Sequence, residues 1–212
     1  VNALFEHLKS RIRAEGPLSL DAYMAEALGH PEHGYYRKGD PFGGAGDFIT
    51  APEISQMFGE LLGLWSMVCW RQLGAPVSLN IVELGPGRGT LMADGMRAAS
   101  SVVPFYNALH VHLVEKSPLL RKYQQSALAA IDRPIHWHNQ LLQVPDGPFV
   151  LLANEFLDAL PIRQFASTAG IWRERLIDLA TAGDALEWTS RALCAKDGLY
   201  IPPALAAGVE NR

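Results

Sequence analysis

Leu4, Phe5, Leu8 and Ile12 fall on one stripe of a 3.6-residue period, and Gly16-Pro17 then interrupts it, which predicts an opening helix. A second short helix is predicted after Ser19, a suitable N-cap, with Leu18 and Tyr23 at the two positions of a hydrophobic staple and Gly29 at its end. Residues 30–50 lose the period. They are rich in Gly and Pro yet hold Tyr35, Tyr36, Phe42 and Phe48, and long loops that keep aromatics usually pack over something, often a ligand. Thr50-Ala51-Pro52-Glu53 then reads as a capping box, which would account for Glu53 and open a long apolar helix through Leu73.

The pattern changes at Pro76. Leu79 to Leu84, Val111 to Glu115, Pro134 to Trp137 and Phe149 to Ala153 are short apolar runs, predicted as strands, with helices at 90–99 and 118–130 between them. Apolar strands alternating with helices imply a parallel sheet covered on both faces and joined by right-handed crossovers. After Pro161 the residues alternate instead, over 162–166, 172–178 and 186–188, which predicts a small antiparallel element. The expected class is therefore α/β, with a Rossmann-like sheet at 77–161, an N-terminal helical region and aromatic loop at 1–76, and an antiparallel β insertion at 162–212.

Charge and composition narrow the partners. A net charge of −4 and a pI near 6.0 argue against a protein held on nucleic acid by phosphate neutralisation. Two cysteines, Cys69 and Cys194, imply no disulfide framework, and a cytoplasmic setting is expected. The longest apolar run, Leu61 to Trp70, falls far short of the roughly 20 residues of a membrane span.

The candidate chemistry starts at Glu83-Leu84-Gly85-Pro86-Gly87-Arg88-Gly89. Ligands of a parallel α/β sheet sit beyond the carboxyl ends of its strands, where a glycine loop lets backbone approach closely and a helix N-terminus offers free N–H groups. Gly85, Gly87 and Gly89 form that loop, and Glu115 ends the next strand, placed to accept hydrogen bonds from ribose hydroxyls. Two cofactors compete. A nicotinamide dinucleotide, as in an oxidoreductase, uses G-x-G-x-x-G with its pyrophosphate on the helix amides. Here the spacing is G-x-G-x-G, and Glu83 would repel a pyrophosphate but suit the amino group and sulfonium of S-adenosylmethionine. Asn139, after the third strand, is a further cofactor candidate on the adenine side. The aromatic loop, read as a lid, adds Tyr36 and Thr50.

The fourth strand runs into Asn154-Glu155-Phe156-Leu157-Asp158-Ala159-Leu160-Pro161, which should meet the glycine loop. Methyl transfer from a sulfonium is an in-line displacement helped mainly by positioning and exclusion of water. A guanidinium acceptor has a pKa of about 13.8, so carboxylates must hold the cation and draw its charge away from the attacking nitrogen. Asn154, Glu155 and Asp158 are the candidates for that work, with Glu53 as a possible helper.

These motifs, together with Gly46 to Glu60, Gly34-Tyr35-Tyr36 and Trp172-Arg173-Glu174-Arg175, resemble the MidA-type methyltransferases, bacterial relatives of the mitochondrial complex I assembly factor that methylates arginine. The resemblance implies S-adenosylmethionine as donor, a protein substrate with an acceptor arginine, and a respiratory complex I-type subunit as that substrate. It also implies a matrix location for the eukaryotic relatives. Family chains are longer and their sheets usually have seven strands. The C-terminal strands and part of the acceptor pocket are therefore expected outside these 212 residues.

Other features are read plainly. His110 and His112, like His136 and His138, would share a strand face, but neither pair has a third ligand at zinc spacing, so no metal is expected. Trp65 and Trp70 are read as helix core. A non-catalytic assembly module that keeps a vestigial cofactor fold is the third reading.

Overall fold

The computed structural model describes residues 2–35, 50–168 and 171–193. In chain order these hold α1 (Ala3–Glu15), β1 (Leu18–Ser19), α2 (Leu20–Gly29), α3 (Ala51–Ile54), α4 (Gln56–Gln72), β2 (Leu79–Leu84), α5 (Thr90–Ala99) and α6 (Val103–Ala108). There follow β3 (Leu109–Val114), α7 (Pro118–Ala127), β4 (Ile135–His138), β5 (Phe149–Leu152), β6 (Phe165–Thr168), β7 (Ile171–Leu179) and β8 (Leu186–Ala192). Contacts group them into two units, 40–158 and a second made of 1–39 with 159–212.

The first unit is built on a parallel sheet of order β4-β3-β2-β5. β2 is central, and all six of its residues are buried. Leu79 and Ile81 join Met92, Met96, Phe105, Leu109 and Leu113 in one core, and Val82 and Leu84 form a second with Val114. The chain moves outward through β3 and β4, then returns to the other side of β2 as β5, which makes the carboxyl edge of β2 the crevice of a doubly wound sheet. The expected helix at 90–99 is present with those bounds. The short helix α6 carries no sequence period of its own and is fixed by burial of Phe105 and Ala108.

α4 packs on α5 through a face of small residues. Gly59, Gly63 and Ser66 are buried, and a Cβ on Gly63 would overlap the backbone of Gly95. Of the two tryptophans read as core, only Trp70 is buried, its indole N–H donating to Pro76 O at 2.9 Å. Trp65 is 52% exposed and lies on the outer face with Met57, Leu61 and Val68, because the glycine face, not the more apolar one, meets α5. The capping box is also corrected. Thr50 caps only the four-residue α3 and makes no side-chain cap bond; Ser55 restarts the helix, its hydroxyl accepting from Met57 N at 3.2 Å.

In the second unit β7 pairs antiparallel with β6, β8 and the two-residue β1. Leu8, Ile12 and Leu18 form its core, with Tyr23 packed against them as the staple predicts. Buried Glu174 is held between Arg163 and Arg191.

Candidate cofactor-binding and active site

Strand register decides which side chains meet. Leu84, Val114 and His138 are aligned across β2, β3 and β4, and Glu83 is aligned with Leu152 of β5. One residue past the first three tips, and two past Leu152, stand Gly85, Glu115, Asn139 and Asn154. Four sequence-predicted positions from four strands therefore fall in a single row at the carboxyl edge. Backbone bonds extend the ladder into that row: Gly85 N donates to Val114 O at 3.1 Å and Glu115 N to His138 O at 3.0 Å.

Glu83 sits just beneath the row. It is 3% exposed, and its Oε2 is buried without a hydrogen-bond partner. Burial pushes its carboxyl up to about 8. A buried carboxylate without donors costs several kcal/mol, so the group holds its proton until a cation or donor arrives. An ammonium would supply the missing donors, which fits the amino-acid end of S-adenosylmethionine.

The loop above it is left-handed at each glycine, with φ of 61° at Gly85, 53° at Gly87 and 89° at Gly89. At Gly85 a Cβ would also stand 2.5 Å from the Phe156 ring, so this glycine lets the segment after β5 close over the loop. At Gly87 no atom of the described residues lies within 4 Å of that position. Beneath the loop Gln124, fully buried, donates from Nε2 to Gly87 O at 2.8 Å and accepts from the Trp137 indole at 2.9 Å.

Glu115 is half-buried, and burial raises its carboxyl above the usual range although Ser117 N donates to Oε1 at 2.7 Å. Arg121 fixes this side of the row. Its Nε and one terminal nitrogen donate to Glu115 O at 2.9 and 2.6 Å, and the same terminal nitrogen reaches Asn139 Oδ1 at 3.0 Å. The amide nitrogen of Asn139 is thereby turned away from Arg121.

After β5, Glu155 is exposed and left-handed, φ 47°, one of two such non-glycine residues described. That backbone costs on the order of 1–3 kcal/mol and marks strain where function would use it. Asp158 is exposed in the 3₁₀ turn Leu157–Ala159, and Asn154 is half-buried. Glu53 departs from its capping role: its Oε1 accepts from the Thr90 hydroxyl at 2.7 Å, which sets a carboxylate at the first turn of α5. Thr50 is half-buried, with its carbonyl accepting from Glu53 N and Ile54 N. Tyr36 lies outside the described residues.

The histidines form a relay. Asn80 Nδ2 donates to Pro145 O, so its Oδ1 faces His112 Nε2 at 3.1 Å and fixes the proton there; His112 Nδ1 then accepts from His138 Nε2 at 2.9 Å. Burial, followed by the neighbouring histidines, lowers His112 to about 4. In the other unit His7, Glu26 and His30 bring ligand atoms within 4.8 Å. There Arg11 donates to Glu26, and His30 Nδ1 accepts from two backbone N–H groups, so its outer nitrogen carries a proton rather than a lone pair.

Sequence reasoning missed Gln124, Arg121, Thr90 and Phe156. Gln124 and Arg121 act from α7, outside the motifs, whereas Thr90 follows the glycine loop directly and Phe156 lies within the segment after β5. A polar residue on the buried face of the helix at 118–130 was the available signal for Gln124.

The profile of a family described as putative S-adenosyl-L-methionine-dependent methyltransferases matches residues 61–206. The chain belongs to this family. Within it, the mitochondrial protein arginine methyltransferase NDUFAF7 of Danio rerio is 42% identical over 198 residues, covering 84% of this chain and 47% of the relative. The Homo sapiens protein of that name is 38% identical over 201 residues, covering 84% and 46%. A solved methyltransferase-family structure, a likely methyl transferase from Burkholderia thailandensis bound to S-adenosyl-homocysteine, has a TM-score of 0.75 and 28% identity over 93% of this chain and 52% of that one. The chain thus spans about half the length of the relatives it matches, and its sheet is the Rossmann-like methyltransferase sheet expected from the strand pattern.

Proposed function

We propose that this chain carries the cofactor site of an S-adenosylmethionine-dependent methyltransferase whose acceptor is an arginine nitrogen of a protein. The observation that carries the reading is the unpartnered Glu83 Oε2 under the glycine loop, a buried acceptor that calls for a cation. Glu53 supports it. A carboxylate bonded to Thr90 at the start of α5 stands where a dinucleotide would need to place its pyrophosphate, which disfavours the nicotinamide reading. The names of the curated relatives support the arginine acceptor and a protein substrate, for which a respiratory complex I-type subunit is the first candidate. Action in the cytoplasm, or in the matrix for relatives named mitochondrial, completes the proposal.

S-adenosylmethionine, when bound, supplies a methyl group on a sulfonium. Glu83 would hold the amino group, Glu115 the ribose hydroxyls and Asn139 the base, while the amides of the glycine loop and the start of α5 lie against the amino-acid end. Thr50 would line the remaining side, and the sequence adds Tyr36 as a further cofactor contact. Glu155 and Asp158, exposed after β5, would hold the acceptor guanidinium by charge-assisted hydrogen bonds. Two carboxylates on one face of a guanidinium draw its positive charge to the nitrogens they contact, leaving the remaining nitrogen the better nucleophile. Asn154 would orient that nitrogen.

Labelled methyl transfer into a cell extract, followed by hydrolysis of the modified protein, tests this. The expected result is label in methylarginine, reduced at least tenfold by Glu155→Gln or Asp158→Asn with binding of S-adenosylhomocysteine retained, as befits charge-assisted contacts made to the acceptor. Cofactor binding without transfer to any protein would favour the non-catalytic module, and NAD binding in place of S-adenosylhomocysteine would favour the oxidoreductase.

A further inference from the structure

We propose that Gln124 is the positioning residue of the cofactor site, holding the glycine loop and the ribose-binding carboxylate in one register; this rests on the methyltransferase reading above. The residue lies on α7, outside the motif, and is completely buried. Its amide has one possible orientation. The Trp137 indole N–H can only donate, so it must face Oε1, and Gly87 O can only accept, so it must face Nε2. The amide also lies near enough to the Glu115 carboxylate to work against the upward push of burial on that group. Three parts of the site are joined through one side chain: the middle glycine of the loop, the carboxylate after β3, and β4 next to Asn139. Its Cα and Cγ also stand 3.2 and 3.3 Å from the place a Cβ on Gly89 would take, so the loop rests on Gln124 as well as bonding to it.

Gly87 has no atom of the described residues against its other side, and its left-handed turn is otherwise held by the short Gly89 N to Pro86 O bond at 2.7 Å. Without Gln124 its part-buried carbonyl loses this partner, so the loop would turn that group toward solvent, and the amides meant for the cofactor would turn with it. Gln124 touches no position a cofactor would occupy; its effect passes through Gly87 and Glu115.

The test is calorimetric titration of the protein with S-adenosylhomocysteine, with circular dichroism and melting curves in parallel. Gln124→Met keeps the volume and removes both polar bonds; Gln124→Glu keeps the shape but sets an oxygen against Gly87 O and Glu115. Both are expected to weaken binding about tenfold to a hundredfold at unchanged stoichiometry, the cost of leaving buried partners unpaired. Trp137→Phe leaves Gln124 in place but frees its oxygen, and is expected to weaken binding less, in the same direction. The deficit of Gln124→Glu relative to wild type should shrink from about pH 8 to about pH 6, because a protonated carboxyl can donate to Gly87 O, while that of Gln124→Met stays constant. Wild-type affinity in both Gln124 variants, with only a lowered melting temperature, would overturn the proposal and leave the methyltransferase reading intact. Failure of the wild-type protein to bind S-adenosylhomocysteine would overturn both.

Discussion

Glu83 titrates in the direction opposite to most native carboxylates. Its folded pKa, raised by burial to about 8, stands above the ordinary value of 4.5. Between those values the folded state keeps a proton that the unfolded chain has lost, so this group's contribution to stability is full below pH 4.5 and is lost as pH rises through about 8. Binding a cation requires the ionised form, and the protein surrenders stability between pH 4.5 and about 8 to a site that a ligand can restore. Gly87 offers the other residue-scale test. Gly87→Val would put a β-branched side chain at φ 53° on the outer side of the loop, where it meets no atom of the described residues. Binding of S-adenosylhomocysteine is expected to be abolished while the melting temperature drops only a few degrees, the usual effect of about 1–2 kcal/mol in a chain of this size. Unchanged affinity by calorimetry would remove the loop from the site. Both residues were legible in the sequence because strand, glycines and carboxylate are contiguous. Gln124 and Arg121 were not, since only the crossover brings α7 beneath the loop.

Among the elements, α4 shows how spacing outweighs hydrophobicity. Its apolar residues suggested a core helix with both tryptophans inside, but close approach to α5 is possible only along Gly59 and Gly63, and so Trp65 faces outward. Gly63→Ala is expected to destabilise by about 1–3 kcal/mol, an overpacking cost seen as a melting shift of several degrees. Gly29→Ala, where nothing lies within 4 Å, should be neutral within about 0.5 kcal/mol. Equal melting temperatures for the two variants would mean that the helices do not touch there. The same packing explains why the capping box failed. The box predicts local bonding between Glu53 and Thr50, whereas α3 lies near the start of α5 and Thr90 competes for the carboxylate. Local motifs are legible until a tertiary donor outbids them.

At the scale of the whole molecule, the parallel order followed from alternating apolar strands and helices, with strand ends displaced by a residue or two, and it sets the candidate site at the carboxyl edge. The antiparallel element was also legible, though its pairing with β1 at Leu18 and Ser19 was not, because two residues carry no period. No helix among the described residues is long and apolar enough to cross a membrane. The aromatic segment read as a lid, Tyr36 included, lies mostly outside those residues.

The proposed site requires that Glu83, ionised, receive the amino group of the cofactor. Titration of wild type and Glu83→Gln with S-adenosylhomocysteine at a series of pH values measures it directly. Wild-type affinity should rise tenfold or more as pH is raised from about 6 to about 8, as Glu83 gives up its proton, while Glu83→Gln should bind weakly with little pH dependence. Equal affinity in the two proteins across that range would contradict it.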